Sequence, residues 1–117
     1  MKDIYLVDVP HKWDKEKTGI NHDVAKFINY NGCTIGCVLL SEGNDFWYVE
    51  WLEIFAIYRG RRLLRQIMEV LYESFGKLEF TASEELVKKY EHIGAINDGY
   101  DEFSEMTSFH YSPGLLC

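Results

Sequence analysis

The chain has 117 residues, 47% of them apolar and 15% aromatic, enough for one buried core and too apolar for a disordered polymer. Its 12 Lys plus Arg stand against 19 Asp plus Glu; the formal charge of −7 argues against a general nucleic-acid binder and favours cationic partners. No run of about 18 apolar residues could span a membrane, and Met1 to Ile4 opens no secretory signal, so we expect a single cytoplasmic domain over residues 1–117.

Ile4 to Val9 reads as a short strand ended by Pro10, and His11 to Asp23 as a polar loop. Val24 to Tyr30 and Cys33 to Leu40 are β-rich and flank Asn31-Gly32, a hairpin signal because both turn residues take positive φ. After a turn over Ser41 to Asp45, Phe46 to Ile57 is a long strand pattern rich in Trp, Tyr, Val and Ile. The period then changes. Leu64, Ile67, Met68, Leu71 and Phe75 form one helical stripe, which predicts a helix over Leu63 to Phe75 ended by Gly76. Lys77 to Ala82 alternates as a strand. Ser83 is an N-cap candidate for a helix over Leu86 to Ile93, closed by Gly94. Asn97-Asp98-Gly99 reads as a turn, and a last strand runs from Met106 to Tyr111. Strand, helix and strand from Phe46 to Ala82 imply a parallel crossover.

All four arginines, Arg59, Arg61, Arg62 and Arg65, lie where the long strand gives way to the helix. A helix N-terminus offers unpaired N–H groups and the positive end of its dipole, so a Gly-containing basic loop there suits an anion. The alternative is an exposed basic turn that solvates itself. Cys33 and Cys37 lack a second Cys or His pair at zinc spacing and read as small core residues. The histidines His11, His22, His92 and His110 show no ligand spacing, so no metal is expected. Trp47, Tyr48 and Trp51 read as packing residues, with one ring available to line a pocket.

Two blocks resemble the GNAT superfamily of acyl-CoA-dependent N-acyltransferases. Leu52-Glu53-Ile54-Phe55-Ala56-Ile57-Tyr58-Arg59-Gly60-Arg61 is similar to that family's Val-x-Pro-x-Tyr-Arg-Gly strand and pyrophosphate loop. Leu86-Val87-Lys88-Lys89-Tyr90-Glu91-His92-Ile93-Gly94-Ala95 is similar to its Phe-Tyr-x-x-x-Gly-Phe helix. With the hairpin before and the strand after, the resemblance covers about residues 24–111. It implies an α/β (α+β) fold: a mixed, mostly antiparallel sheet with a central βαβ crossover and a V-shaped cleft. It implies acetyl-CoA as co-substrate, with the backbone of Ile54 and Ala56 along the pantetheine arm. The pyrophosphate would lie at Arg59, Gly60, Arg61, Arg62, Leu64 and Arg65. Arg62 and Leu64 stand where the family motif has small residues that let backbone amides approach phosphate.

The same resemblance implies a general acid at Tyr90, placed to protonate the leaving thiolate; the alternative is a ring packed in the core. Glu50 shares a nominal strand face with Tyr48, Leu52 and Ile54, and a carboxylate among apolar neighbours suits a general base. The alternatives are a solvent-facing Glu50, and Glu53 as the base if a bulge shifts the register. The expected function is acetyl transfer from acetyl-CoA to a primary, cationic amine of a small molecule or protein, with homodimerisation left open. The alternative is a catalytically inactive binding or regulatory protein of the same fold, of the kind phages and mobile elements encode. Nucleic-acid contact through the arginines is the weakest reading.

Overall fold

A computed structural model of the chain describes residues 3–9, 19–60 and 62–113. Seven strands form one sheet: β1 Ile4–Asp8, β2 Val24–Tyr30, β3 Cys33–Glu42, β4 Trp47–Ile54, β5 Leu78–Ser83, β6 Ile96–Asp101 and β7 Met106–Tyr111. Their order across the sheet is β1-β2-β3-β4-β5-β7-β6. The β4–β5 neighbours are parallel and all the other neighbouring pairs antiparallel, as a crossover inside a meander requires. Two helices follow β4 and β5: α1, Leu64–Phe75, and α2, Glu84–His92.

Local chemistry explains most boundaries. Asn31 and Gly32 take φ of 50° and 84°, as a two-residue hairpin between Tyr30 and Cys33 demands. Helix α1 buries Ile67, Met68, Val70 and Leu71 and stops at Gly76, whose φ is 91°. Its buried face joins Leu78, Phe80, Ala82, Phe109 and Tyr111 in the main core. Helix α2 buries no residue completely and packs through half-buried Val87 and Tyr90.

Four readings need correction. The long strand ends at Ile54, and Ala56–Tyr58 is a 3-10 turn. Pairing with β3 stops at Gly36↔Ile54, so the chain beyond Phe55 has no ladder to join. The expected turn at Asn97-Asp98-Gly99 lies inside edge strand β6: Asn97 opposes Phe109 and Gly99 opposes Ser108, leaving Asp98 as a bulge. The real turn is Glu102–Glu105, and every β6 residue is exposed, so no apolar alternation marked the strand. Cys37 is buried but Cys33 is exposed at the hairpin. Ser83 precedes α2 as expected, yet its side chain makes no cap hydrogen bond. Most of the His11–Asp23 segment, and Arg61, lie outside the described residues.

Two further bulges shape the middle of the sheet. Ile35 is extra between the pairs Ile28↔Gly36 and Asn29↔Thr34. Glu50 is extra between Leu39↔Trp51 and Leu40↔Val49. At Gly36 the two backbones come so close that a Cβ would stand 2.0 Å from the Glu53 carbonyl oxygen. Only glycine fits there.

Candidate active site

Strands β4 and β5 pair only at Trp47↔Leu78 and Tyr48↔Glu79. Beyond that point they separate. The bulge at Glu50 turns β4 at the start of the gap, and the Tyr48 hydroxyl lies 3.3 Å from Thr81 Oγ1 across its base. The result is the expected V-shaped cleft, about 270 Å³ in volume. Its walls are mostly apolar, from Leu52, Met68, Phe80, Leu86 and Met106, with Glu50, Thr81 and Ser83 as polar members.

Glu50 and Tyr90 enter this one cleft from different elements, β4 and α2. The bulge breaks the face that Glu50 shares nominally with Leu52 and Ile54. Those two pack on the core with Trp47 and Val49, while Glu50 is exposed and lines the cleft beside Trp51. Tyr90 packs against the core and also borders the cleft. Its ring packs on Phe80 at 4.6 Å and on Phe109 at 5.8 Å, yet it also lines the cleft. Burial pushes its phenol above the ordinary 10.0, so it stays protonated at neutral pH and can donate. Glu53 is half-buried opposite Cys37, whose thiol is pushed up by burial and by the Glu53 charge.

The basic loop joins the end of β4 to α1. Ile54 is half-buried and its carbonyl accepts from Arg59 Nε at 2.7 Å. Ala56 is exposed in the 3-10 turn. Gly60 has φ of 79°, and Arg62 has φ of 58°, a left-handed conformation that side chains disfavour. Arg62 thus stands in a backbone region that glycine adopts without strain. Leu64 is half-buried and packs against the core while forming one wall of a groove. Arg65 Nη2 donates to the His92 carbonyl at 2.9 Å, spanning α1 and α2. The interhelical groove, about 660 Å³, is lined by Arg62, Leu64, Arg65, Gln66, His92 and Ile93.

The start of α1 is built unlike that of α2. It has no side-chain cap and no acidic residue in its first turn, whereas α2 carries Glu84 and Glu85 there. Cations at the positive end of a helix dipole are unfavourable unless an anion joins them. The first intrahelical bond is Ile67 N–H to the Leu63 carbonyl, so the earlier amides have no intrahelical acceptor. Amides and guanidinium groups around one groove suit an anion.

A second hollow of about 590 Å³ meets the cleft at Ser83, and Glu84, Glu85, Tyr100 and Glu105 line it. The sequence reading missed it because Tyr100 and Glu105 reach it only through the unrecognised β6–β7 hairpin. Elsewhere, His22 Nδ1 is 2.6 Å from the Ile20 carbonyl, His110 pairs with Asp98 at 2.8 Å, and His92 is exposed. Among the described residues no group of three metal-ligating side chains converges, and no helix is long and apolar enough to cross a membrane. Trp47 packs on Phe75 with ring centroids 5.0 Å apart, while Trp51 is exposed along the cleft.

No family model and no curated protein matches the sequence. Solved structures do match. An acetyltransferase from Thermus thermophilus is 13% identical, with a TM-score of 0.74 over 95% of this chain and 99% of that one. A spermidine N-acetyltransferase chimera from Vibrio cholerae and hSSAT is 14% identical, with a TM-score of 0.70 over 95% and 96%. Arabidopsis thaliana Naa50 with the bisubstrate analogue CoA-Ac-MVNAL is 15% identical, with a TM-score of 0.59 over 94% and 99%. The splayed parallel pair, the basic strand-to-helix loop and these likenesses together establish that the chain has the GNAT fold.

Proposed function

We propose that the protein is a cytoplasmic N-acetyltransferase that moves an acetyl group from acetyl-CoA to a primary amine. The observation that carries this reading is the convergence of Glu50 and Tyr90 on the cleft between β4 and β5, together with a basic groove lined by the start of α1 and the end of α2, the helix that carries Tyr90. Arg59, Arg62 and Arg65 and the α1 amides would hold the phosphates, and the thioester would supply an activated acyl group. Glu50 would accept a proton from the acceptor ammonium, directly or through water, leaving a nucleophilic amine. Tyr90 would deliver its phenolic proton to the departing sulfur; burial keeps the hydroxyl protonated before that step.

The acceptor in this reading is cationic. The net charge of −7, the acidic hollow abutting the cleft and the exposed Trp51 ring all suit an ammonium group. One matched structure is a spermidine N-acetyltransferase and another holds a peptide-derived analogue, so both small-molecule and protein amines belong in the test. The experiment is incubation with acetyl-CoA and a panel of polyamines, lysine-containing peptides and peptide N-termini, read by mass spectrometry. Acetylation of at least one amine, lost in Tyr90→Phe, supports the reading; no acetylated product from any of them contradicts it.

A second reading, a binding or regulatory protein without acyl transfer, draws on Arg62 and Leu64, where the resembled loop has small residues. Against it, Leu64 packs partly on the core, although both Leu64 and Arg62 line the groove. CoA binding with no acetylated amine would favour this second reading.

A further inference from the structure

The helix that carries Tyr90 is capped by a side chain from another helix. A helix ends with four carbonyls that lack intrahelical donors. At the end of α2, local backbone meets three of them. Ile93 N–H bonds the Lys89 carbonyl at 3.3 Å, Ala95 N–H the Tyr90 carbonyl at 3.1 Å, and Gly94 N–H the Glu91 carbonyl at 3.1 Å. The fourth, the His92 carbonyl, is met by Arg65 Nη2 at 2.9 Å. A guanidinium at that position also faces the negative end of the α2 dipole. The turn is otherwise held by apolar packing, of the Tyr90 ring on Phe80 and Phe109 and of Ile93 and Ala95 in the core, and among the described residues its other side-chain hydrogen bond is Asn97 Nδ2 to Glu91 Oε2 at 3.3 Å.

Arg65 has a second allegiance. It lies in the first turn of α1 and lines the basic groove with Arg62 and Gln66. A guanidinium carries five N–H donors, so the bond to His92 leaves donors for an anion. Tyr90 is two residues before His92, in the turn that Arg65 closes, and its ring reaches the cleft.

We propose that Arg65 is a positioning residue: it caps the Tyr90 helix and so couples a phosphate-bearing ligand in the groove to the placement of the Tyr90 hydroxyl in the cleft. The catalytic side of this inference rests on the acetyltransferase reading; the structural side does not. The charge and the donor are both needed, so Arg65→Lys should preserve much of the effect and Arg65→Met should abolish it.

The test compares native protein, Arg65→Lys and Arg65→Met by NMR, first without ligand. Arg65→Met should raise amide exchange at Ile93, Gly94 and Ala95 by about tenfold and shift the Tyr90 ring signals, with Arg65→Lys in between. Inorganic pyrophosphate is then added. In the native protein the Gly60 and Leu64 amides and the Tyr90 ring should respond together, and in Arg65→Met the ring response should vanish. Unchanged exchange and ring signals in Arg65→Met would overturn the cap. Loop amides that respond while the native Tyr90 ring does not would overturn the coupling, as would silence at both places. With an acetylated amine in hand, Arg65→Met should lower kcat about tenfold at saturating acetyl-CoA; a change confined to KM would mark Arg65 as a phosphate ligand only. Failure of all acetylation with intact NMR coupling would sink the acetyltransferase reading and leave the positioning role standing.

Discussion

Replacing Arg62 by glycine should make the protein more stable while weakening its hold on phosphate. Arg62 sits at φ 58°, where an L side chain costs about 1–2 kcal/mol relative to glycine. Its charge also stands just before α1, at the positive dipole end, where a cation costs about 0.3–1 kcal/mol. Against these gains, glycine adds about 0.4–1 kcal/mol of unfolded-state entropy. Among the described residues Arg62 makes no hydrogen bond or ion pair that the change would remove. The net expectation is about 1 kcal/mol of stabilisation, or roughly 4 °C in Tm for a chain of this size. Thermal and urea unfolding of the purified variant measure it. Affinity for CoA should fall about tenfold, because one charge-assisted contact is lost. A Tm that stays level or drops would refute the strain argument, and an undiminished affinity would remove Arg62 from the anion site.

Tyr90→Phe should lower amine acetylation about 10²-fold with little change in acetyl-CoA affinity, and Glu50→Gln should lower it most at pH values where the acceptor is still an ammonium; wild-type turnover in both would reject this acid–base pair. Gly36→Ala should destabilise the fold by about 2–3 kcal/mol in urea unfolding, because its Cβ meets the Glu53 carbonyl and β3 and β4 must part; a neutral result would show that the sheet yields freely. Stability should also fall in alkali. Burial raises Tyr90 and Tyr111 above 10.0 and Cys37 above 9.0. These groups stay neutral in the fold after they ionise in the unfolded chain, so their contribution is complete below those values and is lost as pH rises through the folded pKa values. The urea midpoint should decline from about pH 9 upward, less steeply in Tyr111→Phe; a flat profile to about pH 11 would contradict this.

What could be read from the sequence was local. Asn31-Gly32 and the Leu64-to-Phe75 stripe carry their own geometry, in turn chemistry and helical period, and both appear where expected. The order of elements carried the parallel crossover, and the cleft came with the resemblance of the two aligned blocks. Long-range register did not show. Glu50 becomes a bulge only through its alignment with Leu39 and Leu40, and this takes it from the face of Leu52 to an exposed position lining the cleft. Asn97-Asp98-Gly99 has turn chemistry, but pairing with β7 turns it into a bulged edge strand. The bond between Arg65 and His92 joins residues 27 apart, and neither residue type announces it. Arg62 departs from glycine in the sequence and keeps a glycine's φ in the structure, a conflict that only coordinates reveal.

The central claim is that the basic loop and the adjoining cleft take an acyl-CoA. Isothermal calorimetry of the native protein with acetyl-CoA, desulfo-CoA and CoA tests it most directly, repeated with Arg59→Ala and with Leu64→Gly. The account predicts one site with a Kd on the order of micromolar, weakened by added salt and by about 1.5–3 kcal/mol in Arg59→Ala. Leu64 packs against the core, so Leu64→Gly should lose stability without gaining affinity. No heat with any of the three ligands in the native protein, or tight binding that appears only in Leu64→Gly, would contradict the claim.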